Sequence, residues 1–283
     1  MKKQDDNAGA SPFRIRVWGA RGGLPVSGEQ FSVFGGNTIC VEMRCGDHVL
    51  LFDAGSGLYP AGHALKAEGI KALDLFFTHC HYDHIIGLPF FPLMFDPEAE
   101  VAFWSGHLEG RMTTLEMIKS FMRPPWFPIE PDICRARLDC HDFRSGDVLR
   151  PHPDVTVRTA TLNHPGGAIG YRVEWGGRVV AMITDTEHVP GVLDPAVMSL
   201  IEDCDLFLYD ASYTDDEMEK YRGYGHSSWQ HGILLAKQAR AKRVAFIHHA
   251  PWRPDAALLE TGDKARAEFP GAFFARDGQV IEV

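Results

Sequence analysis

Long apolar segments are missing from this sequence of 283 residues. The first twelve residues, MKKQDDNAGASP, contain no apolar core of the length that a signal peptide requires. The apolar runs elsewhere are too short to cross a bilayer. We therefore expect a cytoplasmic protein without a membrane partner, with residues 1–12 as a disordered leader and residues 13–283 as a single domain.

Cysteine is also scarce and shows no pattern. The six cysteines form neither a CxxC pair nor a dense framework: Cys40, Cys45, Cys80, Cys134, Cys140 and Cys204. This spacing argues against a scaffold built on disulfides and favours reduced thiols in a cytosolic protein.

Basic residues are in the minority, with 28 Lys and Arg against 38 Asp and Glu, a net charge of −10 and a pI near 5.7. Nonspecific binding to long nucleic acid depends on many contacts between basic side chains and phosphates. The composition therefore makes long nucleic acid an improbable partner. It still allows a small anionic substrate that is held by a few local cations or metal ions.

Strand-like and helix-like segments alternate along the chain, and 45% of the residues are hydrophobic. Hairpin turns are predicted at Gly46-Asp47 and at Gly176-Gly177. Helices are predicted near residues 109–121, 227–240 and 255–268. Two sheets between two layers of helices would bury such a chain, which is an α/β (α+β) architecture.

A cluster of ligand-type side chains follows one short buried strand in the segment LDLFFTHCHYDH. His79, His81, Asp83 and His84 fall within six positions. On an extended segment, His79 and His81 face one side and Cys80 faces the other, where we expect a small buried apolar residue. Imidazole nitrogens and carboxylate oxygens are ligands for zinc and similar metals. A solvated polar loop is the simpler interpretation, but burying four unpaired groups of this kind would be costly.

More distant ligand candidates each lie just past a predicted strand. They are Asp53 in LLFDAG, His164 in TLNHPGG, Asp185 in MITDTE, Asp210 in FLYDAS, and His248 or His249 in AFIHHAP. Because the ends of neighbouring strands meet at one edge of a sheet, we expect these side chains to converge on the histidine cluster.

The segment THCHYDH resembles the HxHxDH signature of the metallo-β-lactamase superfamily, and the later His164, Asp185 and His248 follow in that family's order. The likeness extends from RVWGARGGLP to FIHHAP and implies a four-layer αββα sandwich with two divalent metal ions, zinc or alternatively manganese or iron. Carried over residue by residue, it implies one ion on His79, His81 and His164, a second on Asp83, His84 and His248, and Asp185 bridging both. It also implies that Asp53 supports the ligands from behind, and its register favours His248 over His249.

Two further segments, YDASYT and GYGHSS, resemble motifs of the tRNA 3′-end endonucleases (RNase Z) and of their phosphodiesterase relatives. VWGARGGLP and FGGNTICVE resemble the N-terminal signature of bacterial members that include cyclic-nucleotide phosphodiesterases. The resemblance implies His226 as the general acid, Asp210 as its carboxylate partner, and Asp83 as the third catalytic residue. The family's usual partner of this histidine is a glutamate, so the shorter Asp210 also fits an alternative role in helix capping.

The expected function is therefore hydrolysis of a small phosphodiester, such as a cyclic nucleotide, by a hydroxide held between two metal ions. The alternatives are an RNase Z-like endoribonuclease, a lactone or thioester hydrolase, and a non-hydrolytic sensor or redox protein. The sequence has no long basic Gly/Pro-rich insertion of the kind that holds tRNA, and its complete ligand set argues against a degenerate member. The family likeness further implies a possible homodimer.

Two loops leave their roles open. Arg21 in ARGGLP is either a phosphate contact or, as the more common outcome, a surface arginine. Trp126 and Phe127 lie between prolines in residues 123–131, where they either stack on a base or cover the site, or else pack on the core or on a second subunit.

Overall fold

The computed structural model describes residues 13–283, so the predicted leader at residues 1–12 lies outside the described part. Fourteen strands are present in that part: β1 (Arg14–Gly19), β2 (Cys40–Cys45), β3 (His48–Phe52), β4 (Ala72–Phe77), β5 (Glu100–Ser105), β6 (Arg137–Asp142), β7 (Val148–His152), β8 (Val155–Leu162), β9 (Ala168–Trp175), β10 (Arg178–Ile183), β11 (Leu206–Asp210), β12 (Val244–Ile247), β13 (Ala272–Phe274) and β14 (Val280–Glu282). Seven α-helices accompany them in residues 13–283: α1 (Leu58–Ala67), α2 (Tyr82–Ile85), α3 (Thr114–Phe121), α4 (Pro195–Ile201), α5 (Asp215–Met218), α6 (Trp229–Gln238) and α7 (Asp255–Glu268).

The strands form two mixed sheets of seven strands each. The first has the order β14-β1-β2-β3-β4-β5-β6 and is parallel from β3 to β6. The second has the order β13-β12-β11-β10-β9-β8-β7 and is parallel from β10 to β13. In each sheet, parallel strands that share one direction bring their carboxyl ends to the same edge.

Alternating side chains place one apolar core between the sheets and one on each outer face. Phe52 and Phe76 of the first sheet pack with Tyr171 and Met182 of the second in the central core. Leu51, on the opposite face of β3, packs in the outer core that includes residues of α1. Helices α4, α6 and α7 cover the outer face of the second sheet. This arrangement confirms the predicted αββα sandwich.

Several local predictions are confirmed, because the turn chemistry is clear. The strands β2 and β3 pair across Gly46-Asp47, and β9 and β10 pair across Gly176-Gly177. Helices α6 and α7 fall within the predicted ranges. Helix α3 begins five residues later than predicted, because Thr113 and Glu116 form a capping box at its start. Strands β5, β6 and β7 and helix α4 are absent from the sequence prediction.

Arg21 is fully buried, so the expectation of a surface arginine was wrong. Its guanidinium donates hydrogen bonds to the carbonyl oxygens of Gly35 and Arg253, both at 2.8 Å, and lies 3.3 Å from Asp255 Oδ1. These contacts tie the loop after β1 to the loop before α7, so Arg21 supports the loops and does not face a ligand.

Within residues 13–283, no helix combines the length and the hydropathy that crossing a membrane would require. All six cysteines fall in this part of the chain and are free thiols, as predicted. Cys80 is only partly buried, so the expectation of a buried side chain was wrong at that position.

Candidate metal centre

The candidate site lies where both sheets present the carboxyl ends of their strands. Asp53 directly follows β3, His79 lies two residues past β4, and α2 carries Asp83 and His84. From the second sheet come His164 after β8, Asp185 after β10, Asp210 at the end of β11 and His248 after β12. The structure therefore brings together the predicted residues that follow these strands.

His79, His81 and His164 form one group, whose ligand atoms lie within 4.8 Å of one another. His164 Nε2 lies 3.1 Å from His81 Nδ1. The Nδ1–H of His164 donates to the carbonyl oxygen of Gly225 at 2.8 Å, which leaves Nε2 with a free lone pair. His79 contacts the hydroxyl of Thr78 through Nδ1 at 3.1 Å, and its Nε2 is buried without a hydrogen-bond partner.

Asp83, His84 and His248 form a second group with the same spacing. His84 donates from Nδ1 to Asp53 Oδ2 at 2.8 Å, and its buried Nε2 makes no hydrogen bond. His248 Nδ1 lies 2.9 Å from the hydroxyl oxygen of Ser212. The backbone N–H of Gly23 donates to Asp83 Oδ2 at 2.7 Å. The side chains are thus held so that imidazole Nε2 atoms and a carboxylate face one space.

Asp185 lies between the two groups. Its Oδ1 is 3.8 Å from Nε2 of His79 and 3.8 Å from Nε2 of His164. The same oxygen is 3.3 Å from His248 Nε2, and Oδ2 is 3.2 Å from His84 Nε2. One carboxylate therefore reaches ligand atoms of both groups, as a bridging ligand must.

The buried carboxylates of the cluster favour a positive charge at its centre. Burial alone would lower the pKa of His84, but Asp185, Asp83 and Asp53 raise it well above its ordinary value. Burial alone would raise the pKa of Asp83, but His84 and His248 hold it well below its usual range. Carboxylates that are buried together with free imidazole nitrogens fit divalent cations. The unpartnered Nε2 atoms of His79 and His84 fit the same interpretation.

The backbone adopts an uncommon conformation at three residues of the site. Asp53, Asp185 and His248 have φ values of 62°, 57° and 59°, in the left-handed region that side chains other than glycine rarely enter. Asp53 and His248 directly follow a strand of the parallel part of their sheets, and Asp185 lies two residues past β10. The turns direct Asp185 and His248 toward the centre of the cluster and Asp53 toward Nδ1 of His84 behind it.

Two glycines let the backbone approach the ligands closely. A Cβ atom on Gly22 would lie 2.0–2.3 Å from ring atoms of His248, and one on Gly225 would lie 2.3 Å from His164 Nδ1. The glycine-rich ARGGLP loop around Gly22 was predicted to allow close backbone approach, but Gly225 and the hydroxyls of Thr78 and Ser212 that contact the ligands were not predicted. The only signal in the sequence is their position beside predicted ligand segments.

His226 and Asp210 form a hydrogen-bonded pair at the edge of the cluster. His226 Nδ1 lies 2.8 Å from Asp210 Oδ2 and 3.7 Å from Asp185 Oδ1, and its ring stacks on that of His248 with centroids 4.6 Å apart. Asp210 Oδ1 also accepts from the N–H and the hydroxyl of Ser212, at 3.0 and 2.8 Å. The shorter aspartate therefore reaches the histidine. Its contacts lie with Ser212 and His226, and helix capping falls to Thr214 and Ser228.

The structure separates His248 from His249. His249 Nε2 donates to the carbonyl oxygen of Ala275 at 2.8 Å, and its ring packs edge-on against Phe34. Burial lowers the pKa of His249 to about 3, so its imidazole is neutral. His249 therefore packs against Phe34 and Ala275, away from the cluster, whereas His248 is part of the cluster.

A cavity of about 550 Å³ opens over the cluster. Its lining consists of Gly23, Cys80, His81, Tyr82, Asp83, Asp185, His226 and His248.

In the loop at residues 123–131, Trp126 is 78% exposed, whereas Phe127 packs edge-on against Phe90. The second aromatic of that loop therefore packs on the protein, and the first faces solvent.

A family model and a curated relative both match most of this chain. The family model described as "Beta-lactamase superfamily domain" matches residues 48–249. Among curated proteins, a ribonuclease Z of Haloferax volcanii is 27% identical over 327 residues, covering 96% of this chain and 95% of the relative.

Solved structures share the fold over nearly the full length. The metallo-beta-lactamase fold protein YhfI from Bacillus subtilis gives a TM-score of 0.72 at 20% identity, covering 96% of this chain and 100% of that chain. A diphosphatase from the PhnP family gives a TM-score of 0.68 at 20% identity, covering 95% and 97% of the respective chains. At these identities the two structures support the αββα architecture.

Proposed function

The chain belongs to the metallo-β-lactamase superfamily of hydrolases, and on this basis we propose that it hydrolyses a small phosphodiester with the help of two divalent metal ions. The observation that carries this proposal is the His226–Asp210 pair, which lies beside the metal-ligating cluster. A phosphodiester releases an alkoxide, and such a leaving group needs a proton donor in this position.

The proposed ligands divide into two sets around one shared carboxylate. His79, His81 and His164 would hold one ion; Asp83, His84 and His248 would hold the other; Asp185 would contact both. Bound divalent ions of this kind polarise phosphoryl oxygens and lower the pKa of water, which is the chemistry that hydrolysis at neutral pH requires. Imidazole and carboxylate ligands suit zinc, manganese or iron.

The protein's own residues orient these groups. Asp53 accepts hydrogen bonds from His84 Nδ1 and from the N–H and hydroxyl of Thr78, and so fixes which nitrogen of His84 faces the centre. Ser212 connects His248 to Asp210 through its hydroxyl. A shift of one group would therefore be transmitted to its neighbours.

Asp210 would also determine the role of His226. Its carboxylate accepts the hydrogen bond from Nδ1–H, which leaves Nε2 as the nitrogen that exchanges a proton with the substrate. The imidazole would donate this proton to the departing oxygen as the ester bond breaks, and the hydrogen bond to Asp210 would hold the ring in place for the transfer.

Two observations favour a small substrate. The cavity of about 550 Å³ lies within the usual range for small-molecule sites. The net charge of −10 disfavours a long polyanion. A 3′,5′-cyclic nucleotide is the leading candidate.

An RNase Z-like endoribonuclease is the second candidate, and the specific observation in its favour is the curated relative that aligns over 96% of this chain. A lactone or thioester hydrolase would use the same ligand cluster. A thioester hydrolase would leave the His226–Asp210 pair without a clear task, because a thiolate leaves without strong need of an acid, whereas a lactone releases an alkoxide that the pair could protonate.

The test is a substrate panel on protein loaded with zinc or manganese. The panel contains bis-p-nitrophenyl phosphate, 3′,5′-cyclic AMP and GMP, 2′,3′-cyclic nucleotides, a precursor tRNA, a lactone and a thioester. Turnover of cyclic mononucleotides in preference to precursor tRNA supports the proposal. Preference for precursor tRNA selects the endoribonuclease, and turnover of the lactone or thioester alone overturns the assignment to phosphodiesters.

A further inference from the structure

We propose that four aromatic side chains beside His226 form a shelf on which the base of a nucleotide substrate stacks. This aromatic shelf consists of Tyr213, Tyr221, Tyr224 and Trp252. The inference rests on the proposed phosphodiesterase function, and it narrows the substrate from any small diester to one that carries a nucleobase.

The shelf is attached to the loops that carry the site. Tyr213 lies three residues after Asp210, Tyr224 two residues before His226, and Trp252 four residues after His248. The ring of Tyr213 meets the ring of His226 edge-on, with centroids 5.9 Å apart. The aromatic shelf therefore begins at the candidate general acid.

Three of the four rings of the shelf, those of Tyr213, Tyr221 and Trp252, are nearly parallel. Tyr213 and Tyr221 stack with centroids 4.5 Å apart and planes 6° apart. Trp252 lies 5.7 Å from Tyr221 and 6.5 Å from Tyr213, with planes 28° and 23° from theirs. Tyr224 packs edge-on against Tyr221 at 5.8 Å. Parallel rings fix the orientation in which a further flat ring would pack.

Burial changes along the shelf from its inner to its outer end. Tyr213 is 4% exposed, whereas Trp252 and Tyr224 are 53% and 62% exposed. Single exposed aromatic residues are common on protein surfaces. Here the inner ring is anchored against the site and the outer rings offer their surfaces to solvent, which is the arrangement of a stacking platform.

The position of the shelf selects its occupant. If His226 protonates the leaving oxygen, the leaving group lies on the His226 side of the phosphate, which is the side of Tyr213. The surface consists mainly of aromatic rings; of the cations beside it, Lys220 Nζ lies 4.8 Å over the ring of Tyr221, Arg253 pairs with Glu217, and Arg222 is exposed in the same segment. A flat, uncharged ring attached to the leaving group fits this surface better than a second phosphate. A nucleobase has such a ring, and stacking on aromatic side chains accepts any base.

The test compares two ligands that differ only in the base. AMP and ribose 5-phosphate share the sugar and the phosphate, so the ratio of their dissociation constants isolates the base. Titration calorimetry on metal-loaded protein should give AMP at least about tenfold tighter binding than ribose 5-phosphate. Trp252→Ala should reduce this ratio about tenfold with less than a twofold effect on ribose 5-phosphate, and Trp252→Phe should keep most of it.

Trp126→Ala is the matched control, because it removes another exposed tryptophan from a different loop. Equal binding of AMP and ribose 5-phosphate to the native protein would overturn the shelf, even if diesters are hydrolysed. Loss of the ratio in Trp126→Ala but not in Trp252→Ala would place the base on the other loop and would also overturn it. A change of oligomeric state in Trp252→Ala, with the ratio unchanged, would show that a second copy covers these rings. If no phosphodiester is turned over but the ratio behaves as expected, the proposed function fails and the shelf remains.

Discussion

Replacing His226 by alanine separates proton donation from metal binding, because His226 is held by Asp210 and is not among the proposed ligands. Loss of a positioned general acid costs about 10²–10⁴ in rate. The His226 side chain is 18% exposed, so water can enter the vacated space and donate a proton less effectively. We therefore expect the lower part of the range, about 10²–10³ in kcat, or about 3–4 kcal/mol of barrier.

The assay compares leaving groups. An aryl diester such as bis-p-nitrophenyl phosphate releases a weakly basic oxide that needs little protonation. An alkyl diester such as 3′,5′-cyclic AMP releases a basic alkoxide. We expect His226→Ala to lose about 10²–10³-fold on the alkyl diester and less than about tenfold on the aryl diester, with unchanged metal content by mass spectrometry.

Two outcomes of this assay would contradict the role of His226 as the general acid. An equal loss on both diesters would mean that His226 positions the substrate or the cluster, and an unchanged rate on the alkyl diester would exclude it as the acid. His63→Ala is the matched control, because it removes an exposed histidine of α1 that is not part of the cluster. A similar loss in that variant would point to a general effect on folding.

Three further outcomes are expected. Asp185→Asn removes the negative charge between the two ligand groups, so it should lower the metal content below two ions per chain and abolish most turnover. The circular dichroism spectrum should be unchanged. Full metal occupancy in this variant would contradict the bridging role. Arg21→Ala should reduce the free energy of unfolding in urea by about 3–5 kcal/mol, since it leaves buried carbonyls and Asp255 without their partner, and a change below about 1 kcal/mol would contradict the burial argument. Burial, with the stacked His188, lowers the pKa of His231 to about 4, so the unfolded chain binds a proton there that the folded chain does not; stability should fall as pH decreases from about 6.5 to about 4. Urea unfolding across this pH range gives the dependence of the unfolding free energy on pH, which His231→Gln should reduce by up to one bound proton. An unchanged pH dependence would contradict the assignment to His231.

The convergence of the candidate ligand segments could be predicted from the sequence because their chemistry is local. Four ligand-type residues in THCHYDH fit few structures other than a metal site, and each later candidate follows a strand whose pattern is easy to recognise. Once those strands are assigned to two sheets, convergence of their ends follows from sheet geometry. The fold class follows for the same reason.

The remaining features depend on contacts between distant parts of the chain. Arg21 is buried because Gly35, Arg253 and Asp255 surround it, and none of them is near it in sequence. The choice between His248 and His249 depends on one backbone angle and on a carbonyl of Ala275. Strand β6 (RLDCHD) has only exposed and half-buried residues, so it lacks the apolar alternation by which strands are recognised.

The left-handed conformations of Asp53, Asp185 and His248 have a consequence for anyone who wishes to build this centre elsewhere. Conformations of this kind cost on the order of 1–3 kcal/mol each. A regular scaffold with idealised strands and connections has no place for them. Copying the seven proposed ligands and the supporting Asp53 onto such a scaffold would therefore aim three side chains, those of Asp53, Asp185 and His248, in the wrong direction. A successful transplant has to carry over the three strand ends with their turns, together with a host stable enough to bear their cost.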